Sequence, residues 1–183
     1  LTRLEESKPS INLGSSVGHG TLRLMTVGLD VRAPTEGEMA EMRGMLDRSM
    51  REGAYGLSSG LEYAPGNNAK TEELIDLARV AARYPGAMYS THVRQRDVRM
   101  IESVKEAIAI GEGAQTPVHI VHHPARYPFQ GRMGEVLNLK DDARERGLDV
   151  TFDVMIWNHN ITTIGAQSVS YTHLRAHETV LDL

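Results

Sequence analysis

The sequence contains no cysteine, which excludes disulfides, thiolate metal ligands and a cysteine nucleophile. No apolar run approaches the roughly 18–20 residues of a membrane-spanning helix, so no membrane partner is expected. Lys and Arg number 20 against 24 Asp and Glu, a net charge of −4. With no basic excess or stripe, no nucleic-acid partner is expected either. A G-x-S-x-G nucleophile elbow is absent, and Ser58-Ser59-Gly60 does not supply one, so serine hydrolysis is unsupported. Gly18-His19-Gly20 lacks the third glycine of a dinucleotide fingerprint. The chain opens at Leu1 without a visible signal peptide, an absence that carries no weight where the first residue is not Met. The lack of cysteine is compatible with a reducing compartment, and a cytoplasmic location is expected.

What is present suits a globular protein with a sizeable core: 183 residues, 40% hydrophobic and 24% charged. Ile11 to Val17 is a weak strand candidate, running into a turn through Gly18–Arg23. Thr35 with Glu38 three residues on forms a capping box, and Met39, Met42, Leu46 and Met50 follow as one apolar helical stripe closed by Gly53. Ala54–Leu61 reads as a strand, followed by the polar loop 62–68. Thr71 is expected to cap a helix that buries Leu74, Ile75, Ala78, Ala81 and Ala82. A strand at Ala87–Val93, a helix opened by Asp97, a strand at Pro117–His122, a helix over Gly131–Arg146 and a strand at Leu148–Met155 complete the pattern. The period is roughly thirty residues, one βα unit, which suits either a (β/α) barrel or a doubly wound sheet. A whole barrel takes about 250 residues and eight strands, so five strands make part of one.

Two of these strands end in histidine: His92 in one, His122 and His123 in the next. A helical crossover makes the strands parallel, so both ends reach the same rim, where α/β folds place their chemistry. Neutral imidazole is the commonest protein ligand for zinc. Strand alternation puts His122 on one face with Val118 and Ile120, and His119 and His123 on the other. Periodicity does not say which face is the functional one. Ser58, Ser59, Glu62 and Asp153 are further polar residues at strand ends, Asp153 sharing a face with Thr151. His159 reads as an ordinary structural or surface residue.

The segments GHGTLR (18–23), GAYGLSSGLEYAPG (53–66), TEELIDLARVAARY (71–84), YSTHVR (89–94) and PVHIVHH (117–123) resemble, in order and spacing, the N-acyl-D-amino-acid deacylases of the amidohydrolase superfamily. The resemblance implies an α/β fold, a partial (β/α) TIM-type barrel of about five parallel strands. It also implies a zinc-dependent hydrolase that splits the amide of N-acyl-D-amino acids, with Zn2+ held by His92 and His122 and with Tyr63 shaping the pocket of a small-molecule substrate. The family's paired-histidine motif and cysteine ligand precede this region, and its catalytic aspartate follows it, so the chain is expected to be an inactive fragment. Three positions depart from the family: Pro124 stands where a substrate-holding lysine is usual, Arg96 where a glutamate is common, and Met155-Ile156-Trp157 where tyrosines occur. Arg126 is a candidate substitute for the lysine. The missing lysine keeps open a cyclic amidohydrolase of the hydantoinase or dihydroorotase type, and a non-catalytic truncated product is the third reading. Val169–Leu183 breaks the pattern and resembles a tail translated from sequencing-adaptor DNA. Its His173 and His177 stand four apart without the glutamate of a zinc-protease helix. The expected division is therefore 1–168 as barrel domain and 169–183 as non-native tail.

Overall fold

The structure, a computed structural model, describes residues 6–122 and 131–155. The expected tail at 169–183, the boundary at 168, and His123, Pro124, Arg126 and His159 lie outside the described residues.

From β2 onward the chain alternates strand and helix, after two helices in succession follow β1. In order, the elements are β1 (Val17–Gly18), α1 (His19–Thr26), α2 (Glu36–Arg51), β2 (Gly56–Gly60), α3 (Thr71–Ala81), β3 (Met88–His92), α4 (Met100–Ala114), β4 (Val118–Ile120), α5 (Met133–Glu145) and β5 (Val150–Phe152). The α2 start is the one expected: the Thr35 side chain accepts from the Glu38 N–H, and the Glu38 carboxylate accepts from the Thr35 N–H. All four residues of its apolar stripe are buried, and Gly53 follows with φ +101°, a left-handed turn that glycine adopts without strain.

Four local expectations are corrected. The turn through Gly18–Arg23 is instead the start of α1, because Leu22 enters the core and the buried polar residues His19 and Arg23 both find Glu73 on α3. Tertiary pairing here outweighs two glycines. The strand expected over Ile11–Val17 reduces to Val17–Gly18. Thr71 is the first helical residue of α3 rather than its cap, since its hydroxyl donates to Glu106 of α4 at 3.0 Å. Asp97 does not open α4, which begins at Met100.

The five strands are parallel and lie in sequence order, β1-β2-β3-β4-β5. A doubly wound sheet reverses direction at a switch point; a sheet that always steps the same way is a section of barrel. Register and burial identify its faces. Leu57, Tyr89, Val118 and Val150 lie side by side and are essentially fully buried in the core built with the helices. One residue further along each strand, Ser58, Ser90, His119 and Thr151 form a row on the opposite face. Glycine at 56 allows β2 and β3 to meet, since a Cβ there would sit 2.1 Å from the Met88 carbonyl oxygen. On the helix side, the Ser59 hydroxyl bonds Tyr89 Oη at 2.7 Å and Thr91 Oγ1 at 2.8 Å, while burial pushes the Tyr89 phenol up to about 12. No helix among the described residues is long and apolar enough to cross a membrane.

Lys140 of α5 is fully buried, with its ammonium 3.6 Å from the centre of the Phe152 ring and no hydrogen-bond partner among the described residues. Burial lowers its pKa from 10.5 to about 8, with nearby Arg144 adding to the effect. The unfolded chain therefore holds one more proton than the folded chain between about pH 8 and 10.5. The sign follows: this lysine penalises folding fully below pH 8, and the penalty fades as pH rises toward 10.5. Lys140→Met is expected to be more stable than the parent at pH 7. Chemical denaturation from pH 7 to 10.5 should show that advantage shrinking; an advantage independent of pH would contradict the assignment.

Candidate metal centre

β3 delivers His92 to the carboxyl rim of the sheet, in register with Gly60 and two residues beyond Ser90, hence on the face away from the helices. Alternation alone would send His122 to the other face. The strand stops at Ile120, however, and His122 takes a left-handed conformation with φ +34°. Its ring then meets the first one edge-on, with centroids 4.5 Å apart and planes at 77°. His92 Nδ1 faces His122 Nε2 at 3.0 Å.

Carboxylates from neighbouring strand ends hold the His92 ring and the His122 backbone. His92 Nε2 meets Glu62 Oε2, which lies just past β2, at 2.5 Å. The His122 backbone N–H donates to Asp153 Oδ1, just past β5. The other oxygen of Asp153 accepts from His119 Nε2 at 3.0 Å, and His119 Nδ1 lies 2.8 Å from the Thr151 hydroxyl. Burial alone would raise the Asp153 carboxyl, but the hydrogen bonds from His119 and from the His122 N–H outweigh it and hold the group below the usual carboxylate range. Burial lowers the pKa of His122 against a backbone hydrogen bond that raises it, and the Arg96 charge adds to the lowering, so its neutral, ligating form is favoured.

Arg96 is buried, donating to Glu62 at 3.3 Å and to the His122 carbonyl at 3.3 Å. The ring of Tyr63 leans over His92 at 4.8 Å and is partly open to solvent. Of the expected site residues, the structure brings together His92, His122 and Tyr63, with Glu62 and Asp153 beside them. Ser58 stays on the open face near β1, and Ser59 points to the helices.

Sequence reasoning missed Arg94, the arginine of STHVR. Its guanidinium donates to Glu106 and to the carbonyls of Asn67 and Ala69 at 2.8 and 2.9 Å, tying the loop that carries Glu62 and Tyr63 down onto α4. Nothing in its spacing separates a loop clamp from a surface arginine. The pairing of His19 and Arg23 with Glu73 was equally invisible, because Glu73 lies fifty or more positions from both.

Among the described residues, no three His, Cys, Asp or Glu side chains converge as a metal site. The two imidazoles nonetheless fit part of one. Zn–N bonds of about 2.0–2.1 Å at a tetrahedral angle set the two nitrogens about 3.3 Å apart, close to the 3.0 Å observed.

No protein-family model matches the chain. The N-acyl-D-glutamate deacylase of Alcaligenes xylosoxydans xylosoxydans is 36% identical over 152 residues, covering 82% of this chain. The D-aminoacylase of the same organism is 35% identical over 154 residues, covering 84% of this chain. The crystal structure of N-acyl-D-glutamate deacylase from Bordetella bronchiseptica, complexed with zinc and a phosphonate mimic of the tetrahedral intermediate, superimposes with a TM-score of 0.79 over 85% of this chain at 36% identity. The chain is a homologue of the D-aminoacylases. A crystal structure of D-aminoacylase, described as defining a novel subset of amidohydrolases, superimposes with a TM-score of 0.75 at 32% identity. The five-stranded parallel sheet is a partial α/β fold of the kind these amidohydrolase neighbours contain. The chain spans about a third of the length of these relatives, 31% of each of the two sequences above.

Proposed function

We propose that this chain forms part of a zinc-dependent hydrolase that splits the amide bond of N-acyl-D-amino acids, with His92 Nδ1 and His122 Nε2 as two of the zinc ligands. The observation that carries the proposal is the facing of those two nitrogens at 3.0 Å on the sheet's carboxyl rim, within a segment 35–36% identical to deacylases of that class. A zinc ion held there would polarise the amide carbonyl and bring the pKa of a bound water toward about 7.

The residues of this chain supply the frame for that step. Glu62 holds the His92 imidazole, and Asp153 fixes the backbone of His122. Tyr63, partly exposed beside His92, shapes the pocket for the small-molecule substrate, and Arg94 fixes the loop on which Tyr63 sits. A catalytic zinc takes three protein ligands and one open position. The third ligand and the carboxylate that moves the proton therefore come from outside the described residues, and the chain is a fragment that is inactive alone. The expected location is cytoplasmic.

The test is release of free amino acid from N-acetyl-D-methionine and from its L isomer. A protein extended to the length of the relatives should cleave the D isomer, lose activity on chelation and regain it with Zn2+. The 183-residue chain alone should show no turnover. Equal hydrolysis of the two isomers, or robust turnover by the short chain, would overturn the proposal.

A further inference from the structure

We infer that Glu62 is the positioning residue that sets the tautomer of His92, so that the ring nitrogen turned toward His122 carries a lone pair before any metal arrives; the inference rests on the metal-site reading above. A neutral imidazole has one N–H and one acceptor nitrogen. Which is which depends on the partner that the non-ligating nitrogen finds.

For His92 that partner is Glu62, whose Oε2 lies 2.5 Å from Nε2. The same oxygen accepts from the Arg96 guanidinium at 3.3 Å, an arrangement that belongs to an ionised carboxylate, which only accepts. In the neutral ring the proton of His92 then resides on Nε2. Nδ1, 3.0 Å from His122 Nε2, is left as an acceptor.

Burial keeps this arrangement in place. His92 is 6% exposed and Arg96 3% exposed, and the Tyr63 ring lies against His92, so water does not compete freely for Nε2. Glu62 itself sits on the loop that Arg94 ties to α4 through the carbonyls of Asn67 and Ala69. The motif GLEY thus has two parts with separate work: tyrosine faces the pocket and glutamate orients a ligand.

The experiment uses the 183-residue chain with 15N-labelled histidine, stripped of metal by a chelator, and long-range proton–nitrogen spectra that report each ring's tautomer. His92→Gln identifies the signal by its loss. His92 should appear as the Nε2–H form in the parent. Glu62→Gln keeps the size of the side chain but offers both a donor and an acceptor, so the same ring should become a mixture of tautomers. Zn2+ affinity, read by competition with a chelating dye, should fall about 10–100-fold in Glu62→Gln. A parent ring in the Nδ1–H form overturns the inference without any variant, as does an unchanged tautomer in a folded Glu62→Gln protein. His92→Ala separates the two readings. If it leaves Zn2+ affinity intact, the metal-site reading fails, while the parent spectrum still decides what Glu62 does.

Discussion

Replacing Glu73 with alanine is expected to remove about 3–5 kcal/mol from the stability of the fold. Arg23 and His19 are wholly buried, and both bond to this one carboxylate, Arg23 through Nη1 at 2.7 and 2.9 Å and His19 through Nε2 at 2.8 Å. Burial opposes the charge on Glu73, but the hydrogen bonds from His19 and Arg23 hold its carboxyl below the usual range. Deleting it strands a guanidinium in the core, and that uncompensated charge is the source of the loss. Domains have only about 5–15 kcal/mol in total, so the variant should unfold at a much lower urea concentration. The network is incompletely satisfied, since His19 Nδ1 and Arg23 Nε have no hydrogen-bond partner among the described residues. An apolar replacement of the pair, Arg23→Met with Glu73→Leu, is accordingly expected to recover most of the loss. A urea midpoint for Glu73→Ala equal to that of the parent would refute the account.

The second large effect concerns zinc. His92→Ala and His122→Ala should each lower the Zn2+ affinity of the 183-residue chain by more than the 10–100-fold loss typical of an outer hydrogen-bonding partner. The double variant should lose scarcely more than either single one, because a lone imidazole no longer chelates. Residues that act together on one ligand are non-additive. Competition with a chelating dye measures all three affinities. Additive losses would place the two histidines at separate sites and remove the basis of the proposed function.

Much of this arrangement was legible in the amino-acid order. The capping box at Thr35 and the stripe Met39–Met50 are local signals, governed by neighbours three and four positions away, and the structure forms them as expected. That both histidines reach the same rim follows from chain direction: one helical crossover brings two strand ends to one edge of the sheet. Alternation, taken strictly, put His122 on the wrong face. The ring arrives because the strand ends two residues early and residue 122 turns left-handed, a backbone feature that carries no composition signal in a histidine. The helix at His19 was hidden for a related reason. Glycines at 18 and 20 suggest a turn, and only the distant Glu73 gives the helix a reason to form. Long-range ion pairs leave no periodic trace. Arg94 and Arg23, both of which anchor the fold, therefore look like any other arginine in the sequence.

Every group proposed to handle metal or substrate sits at or just beyond the last residue of a strand: Glu62 and Tyr63 after Gly60, His92 at the tip of β3, His122 after Ile120, Asp153 after Phe152. Apart from the Arg94 clamp, the residues that keep the chain folded lie earlier on the same strands or in the helices behind them. Selection can therefore retune what the rim recognises through exchanges of single strand-end residues while the scaffold's melting behaviour stays nearly constant, and a library randomised at those ends should keep most of its members folded.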